Sequence, residues 1–321
     1  EELYKNGKFF EASFSYKEIL NNIKGKKISQ SDMDLIKNRL KECVIKSESE
    51  YKEISVETKL TPDMTASINI TNDETIKRIG NNLLEVPKIF FSTNFISSSD
   101  GLELRSKKIP LFLQIANVSL FTEDGYISSN NDDYSPFELN LFRNYQMEQT
   151  IKAHLHIDPI FKKITEMGVL NVENLNNLFM EKGILLDNVN LNILNHGINT
   201  YIKKDFISSL HILIPQFENL FLFIAESSGI QTTAIERGKT VTKKITLSDT
   251  SLKSNQMIDV FGKDFCLYLR YLLYSPLGLS IRHKIAHGTI ADNECSETNS
   301  NLVLIAIFIL LNKIEKVEIK K

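Results

Sequence analysis

Apolar positions recur at helical rather than strand spacing along most of this chain. Leu35, Ile36, Leu40, Cys43 and Val44 follow a three-to-four period, and Ser31-Asp-Met-Asp34 just before them reads as a capping box with an acid in place of the usual Glu. Further helices are expected over about 73–85, 107–118, 136–153, 158–167 and 172–182, the last opened by Asn171 and stopped by Gly183. Residues 57–72, 92–100 and 124–136 are rich in Thr, Ser, Asn and Asp with Pro62 and Gly101, and read as loops. Nothing alternates with period two for long enough to require a sheet. Ile89 to Phe95 or Thr240 to Leu247 has the composition of a short hairpin arm.

The opening segment, from Gly7 through Phe9, Ala12 and Tyr16 to Leu20, spaces small and aromatic residues as one tetratricopeptide-type helix hairpin does. No second copy follows, and a single unit of that kind leaves its face uncovered, so an ordinary amphipathic helix is the simpler expectation. From Asn199 a long helical pattern runs through Tyr201, Phe206, Leu210, Leu213, Phe217, Leu220 and Ile224 to Gly229, with Pro215 inside it. Next are expected a basic loop at 230–247, helices near 249–260 and 263–274, the motif helix from about 278 to 287, and a last apolar helix near 299–317. The fold class predicted is all-α: an irregular helical region over 1–195 and an up-and-down helical bundle over 196–321.

Composition narrows the class without naming a function. An apolar share of 42% and a charged share of 24% are those of a folded globular protein, which excludes disordered and collagen-like chains. The three cysteines, Cys43, Cys266 and Cys295, form no Cys-x-x-Cys pair, so a reducing, cytoplasmic setting is expected rather than a disulfide framework or zinc knuckle. The longest uninterrupted apolar run, Leu302 to Leu311, is about half of a membrane span, and no membrane partner is expected. The chain opens on Glu1 with no apolar leader, which suggests processing or truncation and a missing upstream domain. The net charge of −2 gives no global case for a polyanion. From Ile198 onward, however, 15 Lys and Arg face 12 Asp and Glu, against 23 and 28 before it. Arg237, Lys239, Lys243 and Lys244 cluster there, either as phosphate contacts or as a solvated run.

The chemistry is concentrated in Gly278-Leu-Ser-Ile-Arg282-His283-Lys284-Ile285-Ala286-His287-Gly288. On a helix, Arg282 and His287 stand roughly 140° apart, while His283 and His287 share a face. Arg holds phosphate oxygens in a fork, and His gives or takes a proton near neutral pH, the two functions that metal-independent RNA cleavage needs. A two-fold partner presenting the same motif would complete a composite cleft. His287, just before the helix end expected at Gly288, lies where the helix dipole favours imidazolium. A metal site on His283 and His287 would need a third ligand, for which Asp292 and Glu294 have no preset geometry, so none is expected.

The segment Gly278 to Gly288 resembles the signature Gly-Leu-Asn-Leu-Arg-Asn-x-x-x-His-Gly of an uncharacterised family that includes endoplasmic-reticulum-membrane-associated RNA degradation proteins and looks like a branch of the HEPN superfamily. The resemblance extends through His211-Ile-Leu-Ile-Pro215-Gln-Phe-Glu218, Thr246-Leu-Ser and Phe261-Gly-Lys-Asp264-Phe, roughly 120 residues in all. It implies a HEPN-like bundle acting as a homodimeric, cofactor-free endoribonuclease that leaves a 2′,3′-cyclic phosphate and a 5′-hydroxyl, of the kind used as toxins or antiviral effectors and held silent by an inhibitory partner. Ser280 stands where Asn is usual, and His283 where Asn follows the Arg; other branches carry Asn, Asp or His there.

The expected catalytic set is Arg282, His287 and His283, with Glu218, His211 and Lys284 supporting or binding RNA. Beside it stand blander alternatives. Arg282 and His287 would serve equally as helix-end and carboxylate partners. His211 and Glu218, seven apart, suit a bundle hydrogen bond. Phe217, Phe221 and Phe223 are expected to pack rather than to stack on bases. His154, His156 and His196 are taken as surface or core residues. An inactive dimerisation or RNA-binding module, or an adaptor built on tetratricopeptide-like helices, is the competing function.

Overall fold

The computed structural model describes residues 1–23, 25–47, 59–93, 95–110, 119–121, 127–130, 134–182, 190–235, 242–244 and 246–314. Helices dominate, with two short antiparallel hairpins among the described residues. The chain separates into two compact units, Glu1–Lys59 with Ile109–Glu138, and Leu60–Lys108 with Leu139–Lys321.

The first unit opens with α1 (Glu2–Lys5), α2 (Phe9–Ile23) and α3 (Gln30–Ser47). Ala12, Tyr16, Leu40 and Cys43 form its buried centre, flanked by Leu3, Tyr4, Phe9, Leu20, Ile36 and Val44. The expected periodicity of α3 holds except at Leu35, which is 51% exposed. Its cap lies two residues earlier than expected: the Ser29 hydroxyl accepts from Asp32 N and donates to the Asp32 carboxylate.

The second unit holds α4 (Pro62–Ile79), α5 (Val86–Ser92) and α6 (Ser99–Ser106). Residues 62–72 are therefore helical where a loop is expected, because Thr61 accepts from Met64 N and Pro62 occupies the first turn, a start signal that outweighs a polar composition. Ile89 to Ser92 is likewise helix rather than hairpin. Of the helix expected at 107–118, residues 107–110 are not helical and residues 111–118 lie outside the described ones; α6 lies before it, starting inside the loop expected at 92–100. The first hairpin, in the first unit, pairs β1 (Ser119–Phe121) with β2 (Ile127–Asn130); β2 falls in the loop expected at 124–136, and β1 lies between that loop and the helix expected at 107–118.

Pro136 to Glu166 is one helical rod, α7 (Pro136–Lys152), a π-helical turn at Ala153–Ile157 and α8 (Asp158–Glu166). Then come α9 (Val172–Glu181), capped by Asn171 as expected, α10 (Leu191–Ile202) and α11 (Phe206–Ser227). The single long helix predicted from Asn199 is thus broken after Ile202. Lys204 takes a left-handed backbone at φ 62°, and the Asp205 side chain accepts from Ser208 N to start α11 afresh. The expected boundary at 195/196 falls inside α10, which packs along α11 as a helical hairpin. Gly197 permits that approach, since a Cβ there would lie 2.8 Å from Leu213.

The second hairpin pairs β3 (Thr233–Ile235) with β4 (Thr242–Lys244); β4 falls in the arm expected at 240–247, whereas β3 lies in the part of 230–247 expected to be loop. Arg237 and Lys239 lie outside the described residues, as do the side chains of Lys243 and Lys244. After a 3-10 turn at Ser251–Lys253 follow α12 (Asn255–Phe261), α13 (Lys263–Leu269) continued by a second π-helical turn at Arg270–Tyr274, α14 (Ile281–His287) and α15 (Glu297–Lys313).

Every residue of α15 from Ser300 to Asn312 is buried, so this helix is apolar all round because it is surrounded all round. It packs against α5, α8 and α11. Phe308 meets Phe90 and Phe161, and the Tyr268 hydroxyl donates to Leu302 O. The core of the C-terminal half is therefore completed by α5 and α8, from well before residue 196. Phe217 and Phe221 are fully buried and Phe221 stacks on Phe261 at 4.1 Å, as packing residues do. By length and composition α11 is apolar enough to cross a membrane, and half of that stretch is buried within this unit.

Candidate functional site

All six residues predicted for the site fall in the second unit, on α11 and α14. The path into α14 is set by backbone geometry. The π-turn closes with Ser275 N donating to Arg270 O, and the chain then doubles back so that Leu279 N donates to Tyr271 O at 2.8 Å. Gly278 lies in that reversal, and a Cβ on it would sit 2.1 Å from Tyr271 O, an overlap no side chain tolerates. Ser280 follows with φ 52°, a left-handed backbone that Gly and Asn enter more cheaply than Ser. Its carbonyl receives Lys284 N and begins the helix.

Only two turns long, α14 starts at Ile281 rather than near 278, because the chain reversal and the left-handed Ser280 precede it, and it ends as expected at Gly288, whose φ of 66° lets its N–H reach Ile285 O while Thr289 N reaches Lys284 O. Ile281 is buried and anchors the helix, whereas His283, Ala286 and His287 are exposed. Those three positions, three and four apart, form one solvent-facing stripe. The rings of His283 and His287 lie 4.3 Å apart with a 51° tilt. Burial, then the neighbouring charges of His287 and Arg282, hold the His283 pKa below its ordinary value, so the neutral ring is favoured.

Arg282 points from the flank of this stripe toward α11. Its Nε donates to Glu218 Oε2 at 3.1 Å and its Nη2 to Glu218 Oε1 at 3.5 Å. The two side chains are 27% and 15% exposed, so the fork is held at the protein's edge rather than sealed within it. Beside the pair stands Tyr274, whose buried hydroxyl has no hydrogen-bond partner. Burial, and the Glu218 carboxylate after it, push that phenol well above its ordinary pKa, so it remains a donor. Nothing in the motif pointed to Tyr274. The π-turn that carries it has no sequence signature, and only folding brings it to the pair.

The other expected residues are not gathered. His211 lies two turns before Glu218, exposed, with its Nδ1 2.8 Å from Ile207 O of its own helix. Lys284 forms an ion pair with Glu294, whose other oxygen accepts from Ala291 N at 3.1 Å. That pair fastens the loop after Gly288 onto α14, and it occupies the lysine expected to bind RNA. Among the described residues no group of three or more His, Cys, Asp and Glu is placed to hold a metal ion. Of the remaining histidines, His156 bonds Asn72 Oδ1 at 2.8 Å, and exposed His154 faces Asp158 at 3.3 Å. Asp158 also accepts from Thr298 and Asn301 at the start of α15.

Together these groups offer a guanidinium with one fork edge engaged and one edge free for an anion, a buried phenol donor, and two imidazoles at the surface. Family models, curated proteins and solved structures contain no match to this chain.

Proposed function

We propose that the second unit is a HEPN-like helical bundle and a metal-independent endoribonuclease, acting as a homodimer whose two α14 helices face each other. The observation that carries this reading is the arrangement on α14: an Arg282 oriented by Glu218 beside an exposed pair of adjacent imidazoles. Glu218 aligns the guanidinium without burying it, so its remaining N–H groups meet a phosphate oxygen as charge develops there. In the reaction the substrate's own 2′-oxygen attacks phosphorus, the bond from phosphorus to the 5′-oxygen breaks, and a 2′,3′-cyclic phosphate and a 5′-hydroxyl result. One imidazole takes the 2′-hydroxyl proton and another delivers a proton to the departing 5′-oxygen. His283, whose pKa is lowered, suits the acceptor, and His287 the donor, from the same or the facing copy.

The test incubates mixed RNAs with the protein in excess chelator, comparing wild type with His287→Ala and reading the chemical ends of the products. Cleavage lost by at least a hundredfold in H287A, with cyclic-phosphate ends in the wild type, is the expected result. Equal cleavage by both, or none by either while fold and dimer are intact, overturns it. The engaged fork of Arg282 favours one alternative, a bundle without activity that serves dimerisation or RNA binding, in which Arg282 and Glu218 simply tie α14 to α11.

A further inference from the structure

A second feature lies behind the motif loop. A cavity of about 290 Å³ opens between the end of α7 with its π-turn, the second π-turn, and the first turn of α15. Tyr271 and Leu279 form its aromatic and aliphatic walls, and Gln149, Thr150, Thr298 and Asn299 its polar edge. Both π-turns line it. Such turns weaken a helix by inserting a residue, and they persist where the re-aimed side chains serve a site.

Its chemistry selects a class of occupant. Neither lysine nor arginine lines the cavity, and its one imidazole, His154, already faces the Asp158 carboxylate at 3.3 Å, so the lining holds no unopposed cation for a phosphate. The lining offers uncharged donors and acceptors instead. Gln149 is 1% exposed; its amide nitrogen donates to Phe95 O, and its amide oxygen has no hydrogen-bond partner. A buried carboxamide left half-satisfied is costly, and because that oxygen is itself sealed from solvent, an N–H of an occupant completes it only where the Gln149 side chain turns toward the cavity. A volume of 290 Å³ is at the small end of pockets that take organic ligands. A planar heterocycle with amide-like edges, stacked or wedged on an aromatic wall, matches these terms.

The cavity is also tied to α14 at two points. Leu279 lies three residues before Arg282, at most about 11 Å between α-carbons. Asn299, in the cavity wall, donates to Glu294 O at 2.7 Å, and the Glu294 carboxylate holds Lys284 of α14. We propose that this cavity is a subsite for one nucleobase of single-stranded RNA, unstacked from its neighbours, whose backbone continues to the phosphate held at Arg282. The subsite sets base preference beside the cleaved bond, and in this it rests on the ribonuclease reading.

The test uses four homopolymeric octamers of 2′-fluoro RNA, which carry no 2′-hydroxyl and so bind without being cleaved. Thr150 is exposed at the cavity's edge, with its side chain hydrogen-bonded to Tyr271; Thr150→Phe fills the opening, while Thr150→Ala leaves it open and controls for the loss of that bond. Wild type is expected to bind one octamer at least tenfold more tightly than the poorest, T150A to keep that preference, and T150F to level the four to within about threefold. Thermal melts followed by circular dichroism accompany each variant, and Thr150→Leu replaces T150F if the latter melts early. Uniform binding by wild type, or a preference that T150F leaves unchanged, overturns the proposal. A free nucleoside 5′-monophosphate that binds as tightly as its octamer and is displaced in T150F assigns the cavity to free nucleotide instead. Selective octamer binding without cleavage of ordinary RNA keeps the subsite and removes the nuclease, whereas cleavage with uniform binding does the reverse.

Discussion

Breaking the contact between Arg282 and Glu218 tests whether α14 is held in place by that pair. At 3.1 Å, and with the effective dielectric of about 20 that suits partly buried groups, the gross attraction is about 5 kcal/mol. Desolvation and side-chain ordering remove much of it, and measured hydrogen bonds to charged groups contribute about 1.5–3 kcal/mol. Neither side chain is more than a third exposed, so the pair stands above the surface ion pairs that contribute about 0–1 kcal/mol. A double-mutant cycle of Glu218→Ala, Arg282→Ala and both, read by urea unfolding, should therefore return a coupling of about 1–3 kcal/mol. Most of it should persist in 0.5 M salt, about the strength at which exposed pairs are screened. In a ribonuclease assay E218A should lower kcat more than it raises KM, because it misplaces the guanidinium rather than removing it. A coupling below about 0.5 kcal/mol would show that the two groups are held independently, and the orientation of Arg282 would then need another cause.

Three further outcomes follow from the same geometry. Gly278→Ala drives a methyl into Tyr271 O and should cost more than about 3 kcal/mol, seen as a collapsed melting temperature or insoluble protein; a melt within 2 °C of wild type refutes the close approach. Tyr274→Phe removes a buried hydroxyl that has no partner, so stability should hold or rise by up to about 1 kcal/mol while RNA cleavage falls; a destabilisation above about 1 kcal/mol would reveal a partner. His283 has a folded pKa below that of the unfolded chain, near 6.5. The unfolded state then binds more protons as pH drops, so this residue's contribution is fully present above pH 6.5 and is lost as pH falls from there through the lower folded pKa. Proton NMR should place its midpoint below 6.5, and His283→Gln should flatten the acid side of the stability profile; a midpoint at or above 6.5 contradicts the burial argument.

What was legible in the sequence was what neighbours along the chain decide. Asn171 capping α9, the end of α14 at Gly288, the pairing of His283 with His287, and an apolar helix over Leu302 to Leu311 all depend on contacts within four residues, which periodicity and cap chemistry record. Local signals were also present and outweighed by composition: Thr61-Pro62 starts a helix in a polar stretch, and Asp205 interrupts an apolar pattern that looks continuous. Tertiary structure alone decided the rest. Glu218 and Arg282 are 64 positions apart, Asn72 and His156 are 84 apart, and nothing in either segment specifies the other. The boundary expected at 195/196 vanished for the same reason: α15 is apolar on every side and so requires cover on every side, and α5 and α8 from early in the chain supply it. Helices follow from the order of residues, but which helix faces which follows from burying the most apolar surface, a property of the whole chain at once.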